Sequence, residues 1–304
     1  MTAANDNLPA GLRACLRDAL GLNAAQAIVP DCGLSAALRF SVQMEDGSKV
    51  FVKAATDDST EQWLRREHLV LSATIKPCMP AVIAWIDRRG KRPVLLSEDL
   101  SHAYWPASHQ GVTWCEGDIP LLLSAVEALS SLDTMPGLPP LENRNRSLWT
   151  WIKAHPKALL ALGLCSPEWL NHSLNTLTEA KQQADVTGDR LVHGDLRSDN
   201  ICILDGQVKF VDWSHAACGA VGYDLALLLP TLRLEGGPDP YQLLPHGGSF
   251  AATACAGHIY RLAADRAMPG WLRNVFLKLI AIELSWAAAG LGLAPPDGRS
   301  WLEI

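Results

Sequence analysis

The stretch LVHGDLRSDNICILDGQVKFVDWSHA, Leu191 to Ala216, constrains this chain's fold more than any other part of it. A loop gathers His193, Asp195, Arg197, Asp199 and Asn200, and both of its flanks are apolar. Two β-prone runs follow, Ile201–Leu204 and Gln207–Val211, with Asp205-Gly206 between them. Asp-Gly between such runs signals a tight hairpin. The hairpin would carry the chain back to Asp212, just before Trp213, so the two carboxylates and the amide of Asn200 would end close together.

The flanking sequence divides by period. Residues from about Leu8 to Leu22 read as a helix with Leu12, Cys15, Leu16 and Leu20 on one face. LRFSVQMEDGSKVFVKA reads as a hairpin turning at Asp46-Gly47. DSTEQWLRREHLVLSAT reads as a helix with Ser59 or Thr60 as cap, and AVIAWIDRRGKRPVLLSEDL as a second pair of strands. Beyond Leu100 the expected elements are helices over Pro120–Leu132, Leu148–Leu164, Pro167–Ala184, Tyr223–Leu232, Phe250–Ala267 and Trp271–Gly290. The only strands expected there are those of the Asp205-Gly206 hairpin. The fold class is α+β: a strand-rich N-terminal lobe over residues 1–100 and a mostly helical C-terminal lobe over 101–304.

Composition narrows the partners. The net charge is −6 over 304 residues and no run of Lys or Arg exceeds two, which argues against a nucleic-acid surface. The eight cysteines are scattered with no C-x-x-C pair, so neither a zinc site nor a disulfide framework is expected. Arg273, Lys278 and Glu283 interrupt the apolar segment Trp271–Ala294, so no membrane span is expected. The first residues lack a basic region followed by an apolar one, so no signal peptide is read and a cytoplasmic location is expected.

The chemistry in the loop favours phosphoryl transfer. Mg²⁺ takes hard oxygen ligands and keeps several waters, so Asn200, Asp212 and nucleotide phosphates make a sufficient set. Asp195 is then left to accept or orient a hydroxyl proton while a phosphoryl group is transferred.

His-Gly-Asp, four residues, then Asn200, a hairpin and Asp212-Trp213 together resemble the aminoglycoside phosphotransferase/choline kinase type of small-molecule kinase. That resemblance implies a protein-kinase-like two-lobe fold, ATP as co-substrate and Mg²⁺ as cofactor. Gly194 stands where protein kinases have Arg, Asp212-Trp213-Ser214 stands where they have D-F-G, and no A-P-E follows. These departures point toward a small-molecule hydroxyl acceptor. The resemblance further implies that Lys53 holds nucleotide phosphates, that Glu67 pairs with it, and that backbone groups around Glu98–Leu100 receive adenine. It assigns Asp195, His193 and Arg197 to the catalytic loop, with Asp195 receiving the acceptor hydroxyl, His193 orienting the loop, and Arg197 steadying a phosphate or Asp195. Asn200 and Asp212 become the metal ligands, and Asp224 anchors the loop backbone. No G-x-G-x-x-G is present; only Gly33 and Ser35 stand where a phosphate-covering turn should be. The resemblance thins after about Pro230.

Plainer readings stand beside these. Lys53 alone is a solvated strand lysine, Glu67 alone a partner of Arg65 or Arg66, and Gly33 a loop glycine. His215 reads as a surface histidine, and Trp151, Trp169 and Trp286 as core. Trp105, just past the expected hinge, reads as a pocket wall. The leading expectation is an ATP-dependent phosphotransferase acting on an aminoglycoside, sugar, amino alcohol or similar hydroxyl compound. A catalytically silent nucleotide-binding module is the alternative. A metal-dependent hydrolase built on His193, Asp195 and Asp212 leaves Lys53 and Glu67 unexplained. After Asp224 the acids are sparse, so the sequence does not single out a cationic antibiotic.

Overall fold

The computed structural model describes residues 8–30, 35–73, 76–108, 111–142, 148–183 and 186–304. They form two compact units, Met1–Pro139 with His193–Ala217, and Pro140–Val192 with Cys218–Ile304. The polar loop and its hairpin therefore group with the strand-rich part of the chain, and the division does not run along Leu100. The reason is local bonding: Tyr104 and Ile203 exchange backbone hydrogen bonds, and the Phe210 N–H donates to the Cys78 carbonyl at 2.8 Å.

In the first unit, α1 (Ala10–Leu20) precedes strands β1 (Ala24–Ile28), β2 (Leu38–Met44) and β3 (Lys49–Ala54). Helix α2 (Asp58–Ala73) follows, then β4 (Val82–Ile86) and β5 (Val94–Glu98). The five strands make one antiparallel sheet in the order β1-β2-β3-β5-β4. Side chains alternate across a strand, and β3 shows the consequence. Val50, Val52 and Ala54 enter a core shared with Leu12 and Leu16 of α1, which turns Phe51 and Lys53 to the opposite face.

The cap of α2 differs from the expected Ser59 or Thr60. Asp57 Oδ1 accepts the Thr60 N–H at 2.7 Å, while Thr60 Oγ1 accepts the Asp57 N–H at 2.9 Å. This reciprocal pair satisfies two orphan donors at once. Strand β1, Ala-Ala-Gln-Ala-Ile, was not expected, because its residues have little β preference; pairing with β2 holds it there. Beyond β5 come the two-residue strands β6 (Ala107–Ser108) and β7 (Gly111–Val112), then α3 (Asp118–Ser130).

The second unit carries α4 (Leu148–Ala154), α5 (Lys157–Leu160), α6 (Pro167–Gln183) and β8 (Arg190–Val192). The single helix expected over Leu148–Leu164 is thus two, because Pro156 lacks the N–H that would continue the ladder. The first unit's hairpin strands, β9 (Ile201–Leu204) and β10 (Gln207–Phe210), intervene in the chain. Then follow the short strand β11 (Ala217–Gly219), α7 (Tyr223–Leu234), α8 (Pro240–Leu243), α9 (Gly248–Ala264) and α10 (Gly270–Gly290). One core runs through these helices. Trp149, Trp169 and Trp286 are buried in it, and each indole N–H reaches a carbonyl, on Ala252, Ala294 and Leu244 respectively. Trp151 packs half-buried against the same core. Among the described residues no helix is long and apolar enough to cross a membrane.

Candidate active site

Strand β3 lies between β2 and β5, and its register sets Lys53 opposite Arg39 on one side and Leu95 on the other. Lys53 and Glu67 of α2 are both buried, and Lys53 Nζ donates to Glu67 Oε2 at 2.6 Å. The same ammonium reaches Asp212 Oδ1 at 2.9 Å. One cation is therefore held between two carboxylates that come from distant parts of the chain.

The loop after β8 is tied down residue by residue. His193 is fully buried, and its Nε2 bonds the Val211 carbonyl at 2.9 Å. The Val211 N–H donates to the Asn200 carbonyl at 3.0 Å, so the backbone of this one residue is held at both its N–H and its C=O. Gly194 has φ of +78°, and a Cβ there would lie 2.3 Å from the His215 carbonyl oxygen. Only glycine fits that position, which accounts for the absence of the arginine that protein kinases carry. A 3₁₀ turn over Ser198–Asn200 brings Asn200 Nδ2 to the Asp195 carbonyl at 2.9 Å. This bond orients the amide and leaves Oδ1 as its acceptor.

The hairpin turns at Asp205 and Gly206, with φ of +51° and +74°, the positive pair that a type I′ turn requires. At its far end Asp212 is also left-handed, φ +64° and ψ +63°. An aspartate held there carries backbone strain, which the surrounding bonds overcome. Trp213 is buried against His193 and donates its indole N–H to the Phe210 carbonyl at 2.9 Å.

Electrostatics follow from these contacts. Burial alone would lower the Lys53 pKa, but the charges of Asp212 and Glu67 outweigh it and the ammonium is held more firmly than usual. Burial raises the Glu67 carboxyl against the pull of Lys53. Burial would likewise raise Asp212, yet Lys53 reverses the sign and keeps its carboxyl well below the ordinary carboxylate range. Burial pushes the His193 imidazole down to about 4, so at neutral pH it is uncharged and its Nε2 donates. Burial pushes the Asp195 carboxyl up, with Arg197 pulling the other way.

The remaining expected residues distribute as follows. Arg197 is exposed, 3.0 Å from Asp199 and 3.8 Å from Asp195. Glu98 accepts Lys209 Nζ at 3.0 Å, joining the end of β5 to β10. The Leu100 carbonyl takes the Trp105 indole N–H at 3.1 Å, so Trp105 packs at the expected hinge. Ser35 Oγ accepts from Arg39 Nη2 at 2.6 Å. Gly33 lies outside the described residues. Asp224 is buried in the first turn of α7, in the second unit. Arg39 and Lys209 were not anticipated. A signal for Arg39 existed, since it and Lys53 are equidistant from Asp46 at the hairpin turn.

Asn200 and Asp212 offer hard oxygen donors, with Asp212 held ionised, and these suit a Mg²⁺ ion shared with phosphates. Among the described residues no group of three or more His, Cys, Asp or Glu side chains is arranged to hold a metal alone.

Residues 56–258 match the model of a family described as the phosphotransferase enzyme family, a span that includes Glu67, the whole polar loop and Asp224. No curated protein sequence matches the chain. Among solved structures, the chain resembles a GDP complex of an aminoglycoside 2'-phosphotransferase, with TM-score 0.57 and 15% identity over 93% of this chain and 94% of that one. It resembles a choline/ethanolamine kinase family protein from Mesorhizobium loti with TM-score 0.56 and 14% identity, over 93% and 97%. It also resembles a macrolide 2'-phosphotransferase from Brachybacterium faecium, with TM-score 0.54 and 18% identity over 95% and 98%. The α+β fold is that of the protein-kinase-like phosphotransferases. With two-thirds of its length matched, the chain belongs to the phosphotransferase enzyme family.

Proposed function

We propose that the protein is a small-molecule kinase that transfers the γ-phosphoryl group of ATP to a hydroxyl of its acceptor. The observation that carries this reading is the ammonium of Lys53, fixed 2.6 Å from Glu67 and 2.9 Å from Asp212. Those bonds cost no reorganisation when phosphates arrive, which is the form of catalysis phosphoryl transfer uses most. Lys53 binds phosphate oxygens, and Leu100 offers its N–H to the adenine ring. Asn200 Oδ1 and Asp212 are the groups that would hold Mg²⁺, which when bound supplies charge neutralisation on the β- and γ-phosphates. Asp195 orients the acceptor hydroxyl and takes its proton as the new P–O bond forms and the bond to the ADP oxygen breaks. Its raised pKa suits a group that must accept a proton.

The acceptors to be tried are those that the similar proteins are named for: an aminoglycoside, a macrolide, or an amino alcohol such as choline or ethanolamine. Sugars belong in the same trial. The experiment incubates the protein with MgATP and pools of these compounds, and follows ADP release beside the Asp195→Asn variant. Pool-dependent release by the native protein alone supports the reading, and splitting the pool names the class. MgATP binding without acceptor-dependent release in any pool would favour a silent nucleotide-binding module. Equal turnover by Asp195→Asn would refute the assigned base.

A further inference from the structure

The chain lacks the G-x-G-x-x-G loop that would wrap phosphates in backbone N–H groups, so a different device must grip the nucleotide tail. The β2–β3 ladder places Arg39 directly opposite Lys53. Like charges opposite one another on an antiparallel pair repel, and such a pair persists where anions face it. Lys53 is already committed to two carboxylates at 2.6 and 2.9 Å. Among the described residues Arg39 is held differently, by neutral acceptors. Its Nη2 donates to Ser35 Oγ at 2.6 Å, and its Nη1 donates to the carbonyls of Ala37 at 3.1 Å and Ser35 at 3.3 Å. The guanidinium is thereby fixed in orientation, half-buried, with part of its five-donor fork unspent. Its charge also reaches the carboxylates that Lys53 serves: burial raises Glu67 with Lys53 and, more weakly, Arg39 opposing, and Lys53 outweighs burial at Asp212 with Arg39 adding to it.

Resting on the phosphotransferase reading above, we infer that Arg39 is a second phosphate-binding cation of the nucleotide site, with Ser35 positioning its guanidinium in place of a glycine-rich loop. A planar fork suits phosphate oxygens better than a point charge does. The assignment gives the polyphosphate two cations: Lys53, fixed in place by its acids, and Arg39, which contacts the phosphates from the neighbouring strand and ignores the base. Discrimination by Arg39 should therefore depend on the number of phosphates and not on adenine.

The test is calorimetric titration of native protein, Arg39→Gln, Arg39→Lys and Ser35→Ala with MgATP, MgADP and adenosine, with melting temperature recorded for each. The expected result is a loss of MgATP and MgADP affinity of about 10- to 100-fold in Arg39→Gln, with adenosine binding unchanged. Arg39→Lys should recover part of the loss, and Ser35→Ala should lose a few-fold at an unchanged melting temperature. An equal loss for adenosine and MgATP, or no loss for either, would overturn the role of Arg39 while leaving the phosphotransferase reading intact. Native protein that binds no MgATP would overturn both.

Discussion

Lys53 Nζ lies 2.9 Å from Asp212 Oδ1 although 159 residues separate them, and the same ammonium lies 2.6 Å from Glu67. A buried ion pair of this kind stabilises little by itself, but removing one partner strands the other. Lys53→Met should therefore cost about 3–5 kcal/mol in urea unfolding, because Glu67 is left buried and uncompensated. Lys53→Met combined with Glu67→Leu should regain most of that loss. Turnover should stay at least about a hundredfold down in both variants. If activity returned together with stability, Lys53 would be structural and the phosphate-binding role would be wrong.

His193 supplies a pH dependence with a definite sign. Its imidazole is buried and uncharged, lowered from 6.5 to about 4. Between these values the unfolded chain binds a proton that the folded chain refuses, so stability falls as pH drops from 6.5 toward 4. The full effect is on the order of 3 kcal/mol. His193→Gln keeps a donor for the Val211 carbonyl but cannot titrate. The stability gap between native protein and this variant should therefore narrow on acidification from pH 7 to pH 5. A gap independent of pH would show that the folded ring takes up its proton as readily as the unfolded chain does, so that burial does not hold it uncharged.

Gly194 tests the loop's geometry. An added Cβ would meet the His215 carbonyl oxygen at 2.3 Å from a backbone with φ of +78°. Gly194→Ala should destabilise by at least about 2 kcal/mol, combining the left-handed penalty with a backbone clash. Gly194→Arg, which writes the protein-kinase tripeptide into this loop, should do no better. Thermal unfolding of either variant at the native temperature would mean that the loop has another way to pass His215.

How much of this was legible in the sequence depended on whether a residue's meaning was local. Asp195, Asn200 and Asp212 could be read because a loop, a turn and a hairpin fix their relation within a short stretch. Lys53 and Glu67 became readable only after that motif set the expectation, since a lysine on a strand and a glutamate on a helix are commonplace alone. Arg39 was missed because its significance lies in register: a turn one residue longer would have moved it to the other face of the sheet. Lys209 was missed for a similar reason, since its partner Glu98 comes from a strand far away in sequence. The strands β1, β6, β7, β8 and β11 escaped notice because they are too short or too rich in alanine to show a period of two. What the sequence did not contain was any local mark of which distant elements would pair.

Glu283 is the buried acid that the proposed chemistry does not use. It lies within α10, 1% exposed, and its Oε2 is 2.9 Å from His258 Nδ1 on α9. Burial raises its carboxyl and His258 opposes. A carboxyl raised in the folded state costs stability as pH climbs above its ordinary value of 4.5, and that cost is relieved as pH falls. His258→Ala should therefore destabilise by about 2–4 kcal/mol at pH 7, where the buried Glu283 carboxyl loses its partner. The penalty should be smaller at pH 5 than at pH 7, because acid favours the uncharged carboxyl that burial already favours. Glu283→Gln, which keeps an acceptor and removes the charge, should be neutral or slightly stabilising at pH 7, and should abolish the pH dependence of the His258→Ala penalty. Denaturant unfolding of the single and double variants at both pH values decides it. A penalty equal at pH 5 and pH 7 would mean that packing of His258 against Phe276, whose rings lie 4.9 Å apart, outweighs the charge.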